Sequence, residues 1–197
     1  MNNIAITDEY LNQVIRIGEG IRILKQDIWE MIISFIVSQQ NNIKRIQKII
    51  ELLCQRFGEI KYTQQGIVYY TVPSIECLAN AREQDLKDCN LGYRAKYILK
   101  TANDLFQNQS IIKSLKNMNY TESKKELMKL YGVGEKVADC ICLFSLHHLN
   151  AFPIDTHIKS VLQSQYQNGF PFDLYDGYAG VIQQYIFYYD LNKNKIR

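Results

Sequence analysis

Apolar residues recur at intervals of three and four along most of the chain, the spacing of one face of a helix. Leu11, Val14 and Ile15 form one such set, and Ile28, Ile32, Phe35 and Ile36 a second. Ile43, Ile46, Ile50, Leu53 and Phe57 form a third. Asp27 stands three positions before Glu30 and predicts a capping box opening the second helix. The polar run "QQNN" at 39–42 breaks the pattern as a helix–helix turn would, and Gly58 ends the third helix. The one β-prone segment is 59–72, "EIKYTQQGIVYYTV", which fits either a short hairpin or an extended loop. Beyond it, "PSIECLANA" starts a short helix at Pro73/Ser74, and "NLGYRAKYILKTANDLF" sets Gly92 ahead of another. "TESKKELMKLYGVGEKVADCICLFSLHHL" reads helix, glycine turn, helix. "PIDTHIKSVLQSQY" opens on a proline and an aspartate cap, and "DLYDGYAGVIQQYIFYYD" is a final helix rich in tyrosine. The pattern predicts an all-α protein of about eight to ten helices. A single compact core over 1–197 is expected, folded as two helical lobes, 30–135 and 1–29 with 136–197, and a cleft between them.

Composition narrows the class without changing this picture. The chain has 197 residues, 47% hydrophobic and 22% charged, which is ordinary for a globular protein with a real core. It has no run of apolar residues long enough to span a membrane. The start, "MNNIAITDEY", lacks the basic, apolar and small-residue regions of a secretory signal. A cytoplasmic protein is expected in a prokaryote, associated with the nucleoid, and a nuclear one in a eukaryote. Five cysteines, at 54, 77, 89, 140 and 142, make an odd number without metal-ligand spacing, and read as reduced thiols. An iron–sulfur cluster is not expected, because no cysteine follows Cys142.

Charge is informative in its distribution. The net charge is only +3, yet Gly92–Lys136 holds nine Lys/Arg against four Asp/Glu. Either a solvated helix face or a nucleic-acid contact accounts for that excess. Within this window "LYGVGEKVADCIC" at 130–142 concentrates the candidate chemistry. Gly132 and Gly134 permit backbone angles and close approach that side chains would block. A turn that opens a helix leaves amide N–H groups unpaired, and with the helix dipole they suit an anion such as a DNA phosphate. Lys136 then sits in the first turn, an unfavourable place for a cation. A neutral amine there would be a nucleophile for a sugar carbon. By spacing alone, a plain helix–helix turn with a solvated lysine fits as well.

Further motifs distinguish the two. "GVGEKVADC" followed by "FPIDTH" resembles the helix–hairpin–helix DNA glycosylases, and closely the 8-oxoguanine DNA glycosylase/AP lyase family. "QDIWEMIISFIVSQQNNIKRIQKIIELLCQRFG", "NLGYRAKYI" and "YAGVIQQYIF" also resemble that family, in the same order, over roughly Gly20 to Tyr189. The resemblance implies a bifunctional enzyme of base excision repair that removes an oxidised purine, 8-oxoguanine opposite cytosine, from double-stranded DNA. It implies that Lys136 attacks the deoxyribose C1′ and that the resulting Schiff base permits β-elimination. Asp155 matches the catalytic aspartate, which stabilises positive charge on the sugar and can also cap the helix starting near Thr156. Gln183 and Phe187 match residues that bond to and stack on the flipped base, and their i, i+4 spacing puts both on one face. Cys140 matches the cysteine on the other side of that base.

Tyr93 and Arg94 match residues that wedge the base stack and contact the orphaned cytosine. Gln40 falls where an asparagine usually fills the vacated space, Arg45 matches a second cytosine contact, and His157 a histidine near the DNA backbone. Met128, Leu130 and Val133 match positions whose carbonyls hold a monovalent cation, potassium or sodium. No other cofactor is implied, and a monomer is expected. The chain departs from the family in two places. Tyr131 replaces the proline usual before the hairpin, which should loosen the turn. Only nineteen residues precede Gly20, where long members carry a β-rich domain that helps tell 8-oxoguanine from guanine. The rival reading is a non-catalytic binder of damaged or abasic DNA with the hairpin as a phosphate clamp; the presence of both Lys136 and Asp155 argues against it. An iron–sulfur endonuclease and an adenine-excising enzyme fit the motifs less well.

Overall fold

The structure, a computed structural model, describes residues 8–193. Eleven α-helices and one small hairpin are present among them: α1 (Glu9–Ile17), α2 (Ile28–Ser38), α3 (Ile43–Phe57), β1 (Ile60–Tyr62), β2 (Val68–Tyr70), α4 (Ile75–Ala79) and α5 (Glu83–Leu86). They continue as α6 (Arg94–Gln107), α7 (Ser110–Leu115), α8 (Tyr120–Leu127), α9 (Glu135–Ile141), α10 (Thr156–Gln165) and α11 (Ala179–Asn192). The all-α expectation holds. The count exceeds the sequence reading because α5 and α7 are too short to show a periodic stripe. Residues 59–72 resolve as the hairpin alternative, with β1 antiparallel to β2 and Lys61 opposite Tyr69.

Side-chain caps set several boundaries. Asp27 accepts from the N–H groups of Trp29 and Glu30, opening α2. The reciprocal bond from the Glu30 side chain is absent among the described residues. A true capping box occurs instead at Asn119 and Glu122, opening α8. Ser74 and Asn42 cap α4 and α3 by a single bond each, accepting from the N–H groups of Cys77 and Arg45.

The apolar side chains gather into two clusters. The larger holds Ile32, Ile36 and Val37 of α2, with Ile98 and Leu105 of α6 and Val137, Ala138 and Ile141 of α9, and runs from Ile28 to Ala151. The smaller joins Leu11 and Val14 of α1, Phe152, Ile158 and Val161, and Ile182, Tyr185 and Ile186 of α11. Division therefore falls near Ile28 and between Ala151 and Phe152, not at 135/136 as the sequence suggested. The physical reason is that α9 turns its apolar stripe onto α2 and buries it there, leaving the opposite side for chemistry. No helix of the described residues is long and apolar enough to cross a membrane.

Candidate active site

The hairpin between α8 and α9 is built by backbone bonds. Leu130 N–H donates to the Leu127 carbonyl and Val133 N–H to the Leu130 carbonyl, each at 3.1 Å. Gly132 has φ +85°, and a Cβ there would lie 2.5–2.8 Å from ring and Cβ atoms of Tyr97. Gly134 differs. Its φ is −92°, and a Cβ would meet nothing within 4 Å. The fold thus requires glycine at 132 but not at 134. No side chain caps α9, so its first-turn amides keep their anion-binding capacity. Tyr131 does not loosen the turn. Its carbonyl accepts from Thr101 Oγ1 at 2.8 Å, and its ring packs edge-on against Tyr97.

From this hairpin α9 carries Lys136 and Cys140 into a cavity of about 160 Å³. Phe35, Phe144, Pro153, Asp155, Gln183, Gln184 and Phe187 complete its lining. Phe35 and Phe144 pack against the larger cluster and Phe187 against the smaller, so the cavity opens between the two. Lys136 Nζ lies 5.4 Å from the centroid of Phe35, which itself stacks on Phe144 at 5.6 Å. The aromatic face thus borders the amine on the side of α2. Burial pushes the Cys140 thiol up to about 12, against the opposing pull of the Lys136 ammonium, so it stays a neutral, polarisable wall.

Asp155 is half-buried and plays two parts. Its Oδ1 accepts from Ile158 N–H at 2.8 Å, capping α10, while Oδ2 makes no hydrogen bond among the described residues. The cap fixes the carboxylate at the cavity wall. Gln183 is buried. Its Nε2 donates to the Pro153 carbonyl at 3.0 Å, and its Oε1 accepts from Gln184 Nε2 at 2.6 Å. One donor hydrogen and one lone pair remain for a ligand. Phe187 is joined edge-on to His157, whose Nδ1 lies 2.8 Å from Asp190 Oδ2. Burial works to raise the Asp190 carboxyl, but the bonds from Lys193 and His157 outweigh it and hold it below the usual range.

Of the remaining sequence candidates, Gln40, Tyr93 and Arg94 group around the α2–α3 turn. Gln40 is exposed, in the left-handed region at φ 47°, and Tyr93 is 45% exposed. Arg94 differs from the DNA contact that the resemblance implied. It is 3% exposed, and its guanidinium donates to the carbonyls of Gln39, Gln40 and Leu91. Three carbonyls turned toward one point need such a donor fork, so Arg94 holds the α2–α3 turn that presents Gln40. Gln39, absent from the sequence candidates, ties that turn to the hairpin, its Nε2 donating to the Gly132 carbonyl at 2.9 Å. Arg45 is exposed on α3, apart from the cavity. Phe35, Phe144 and Gln184 also escaped the sequence reading. Phe35 carries the helical period of a core position, and nothing in the sequence separates it from its neighbours.

Comparison with known proteins decides the family. A model described as the HhH-GPD superfamily base excision DNA repair protein matches residues 33–169. The chain belongs to this superfamily. As an HhH-GPD protein it is 39% identical over 160 residues to an N-glycosylase/DNA lyase of Saccharomyces cerevisiae, covering 76% of this chain and 43% of that protein. It is 35% identical over 162 residues to the N-glycosylase/DNA lyase OGG1 of Arabidopsis thaliana, covering 78% and 43%. Among solved structures it resembles the Clostridium acetobutylicum 8-oxoguanine glycosylase/lyase in complex with double-stranded DNA containing cytosine opposite 8-oxoG. That TM-score is 0.87 at 35% identity, over 95% of this chain and 67% of that one. The chain thus spans less than half the length of these two curated relatives.

Proposed function

We propose that this HhH-GPD protein is a bifunctional DNA glycosylase/AP lyase acting on an oxidised purine, 8-oxoguanine, opposite cytosine in double-stranded DNA. The observation that carries the reading is one cavity lined by both an amine, Lys136, and a carboxylate, Asp155, between aromatic walls. The flipped base enters between Cys140 and Phe187, and Gln183 offers its remaining donor and lone pair to the base edge. Lys136, as the neutral amine, attacks C1′; the bond from C1′ to the base breaks, its electron pair leaving with the base, which takes up a proton. Asp155 stabilises the positive charge that develops on the sugar. Proton loss from nitrogen and opening of the ring leave an imine joining Lys136 to C1′. Loss of a proton from C2′ then expels the 3′ phosphate, and water hydrolyses the imine to free the lysine.

The hairpin supplies the grip on the strand through Gly134 and the first-turn amides of α9. Tyr93 and Gln40 stand where the opposite strand would lose its partner base, with Arg94 fixing the turn beneath them. The carbonyls of Met128 and Val133 accept no hydrogen bond among the described residues, and the Leu130 carbonyl keeps a lone pair beyond its bond to Val133. This donor set fits a monovalent cation, which would rigidify the turn. A single-turnover assay on a duplex with 8-oxoguanine opposite cytosine tests the function. Wild type should release the base and nick the strand, and Lys136→Gln should do neither while still binding. Binding without release or nicking by wild type would make the protein a damage binder instead.

A further inference from the structure

The basic window noted in the sequence is only partly used by the site above. Its α6 portion has a distinct construction. Tyr93, Lys96, Tyr97 and Lys100 follow at i, i+3, i+4 and i+7 and so share one face. Tyr97 meets Tyr93 and Tyr131 edge-on, each at 5.3 Å between centroids. Lys100 Nζ stands 4.2 Å from the Tyr131 centroid. Tyr131 is 38% exposed although its neighbours Leu130 and Val133 are buried. The stripe begins at Tyr93, runs under the hairpin at Gly132, and emerges at Tyr131 and Lys100. Glu83 faces Lys96, and Asp104 closes the stripe one turn beyond Lys100. Lys100 itself makes no salt bridge among the described residues.

We infer that Tyr131 and Lys100 form a second contact for the DNA backbone, carrying one sugar–phosphate unit beyond the hairpin. One face of the ring lies under the Lys100 ammonium; the opposite face is offered to a deoxyribose, and the ammonium meets the adjoining phosphate. The pair is continuous with the hairpin amides, which already suit a phosphate, and it belongs to the 92–136 stretch with nine Lys/Arg against four Asp/Glu. An isolated solvated lysine would have no need of an exposed tyrosine beneath it. This inference rests on the DNA-binding part of the proposed function.

The test is the salt dependence of binding to an undamaged duplex and to one carrying a stable abasic analogue. For Lys100→Gln the slope of log affinity against log salt should fall by about 0.9, with affinity down about 8-fold at 0.1 M salt. Lys113→Gln, an exposed lysine of the same basic window on α7, should leave the slope as in wild type. Tyr131→Leu should weaken binding, whereas Tyr131→Phe should retain it. An unchanged slope in Lys100→Gln, or weaker binding at an unchanged slope, overturns the contact. Failure of wild type to bind either duplex would sink the DNA reading itself, so the two failures are distinct.

Discussion

Replacing Gly132 and Gly134 one at a time by alanine should have opposite effects, because the two glycines answer to different demands. At 132 the added methyl is placed at φ +85° and 2.5–2.8 Å from Tyr97 atoms that include Cβ, which cannot swing away. The left-handed backbone costs an L-residue about 1–2 kcal/mol. Overpacking against a fixed neighbour adds about 1–3 kcal/mol. Gly132→Ala should therefore lose about 2–5 kcal/mol, which at about 3 °C per kcal/mol for a chain of this size lowers Tm by about 6–15 °C. At 134 the methyl meets open space at an ordinary φ. Only the weaker capping by alanine remains, about 0.5–1 kcal/mol and at most about 3 °C. The Gly134 methyl does intrude where a phosphate must approach the α9 amides. Losing one charge-assisted bond there costs about 1.5 kcal/mol, or about ten-fold in affinity. Thermal unfolding and binding titration of both variants, with a duplex carrying an abasic analogue, give the comparison. The reasoning is refuted if Gly134→Ala is the less stable variant, or if it binds that duplex as tightly as wild type.

Two further outcomes follow from the site and its surroundings. Asp155→Asn should keep the α10 cap, since asparagine caps as well as aspartate, and so hold Tm while excision collapses; Asp155→Ala should lose about 1 kcal/mol as well. Equal loss of activity and stability in the asparagine variant would reduce Asp155 to a cap. His148 is held below the usual histidine range by burial and by Lys25, and Ser123 Oγ lies 3.2 Å from its Nε2. With a depressed folded value the unfolded chain binds the extra proton first, so stability falls as pH drops through about 6.5. His148→Gln should flatten the decline of Tm between pH 7 and 5, and a parallel decline would refute that role.

The helices and their caps were legible because each leaves a local mark, whereas Lys136, Cys140, Gln183 and Phe187 were singled out by the family resemblance of their motifs. Asp155 and Ser74 precede helical stripes as caps do, and Gln183 with Phe187 shares a face by spacing alone. The lobe boundary was not legible. The sequence reading divided the lobes at 135/136 and so put α9 with the second, yet Val137, Ala138 and Ile141 of that helix pack in the cluster that holds α2. Arg94 looked like a surface contact, and only the structure shows the two carbonyls of the 39–40 turn and that of Leu91 directed at its guanidinium. Phe35 is the sharpest case. Its period places it with Ile32 and Ile36, and the half-turn that brings its ring under Lys136 depends on how α2 is rotated against α9. Short helices such as α5 and α7 carry no pattern of their own and follow from the packing around them.

The central claim is that Lys136 becomes covalently joined to the sugar. Wild-type protein incubated with a duplex containing 8-oxoguanine opposite cytosine and reduced with borohydride should yield a stable protein–DNA adduct. Peptide mapping by mass spectrometry should place it on Lys136, and Lys136→Gln should give none. No adduct from wild type, or an adduct on another lysine such as Lys124 of α8, would contradict the account.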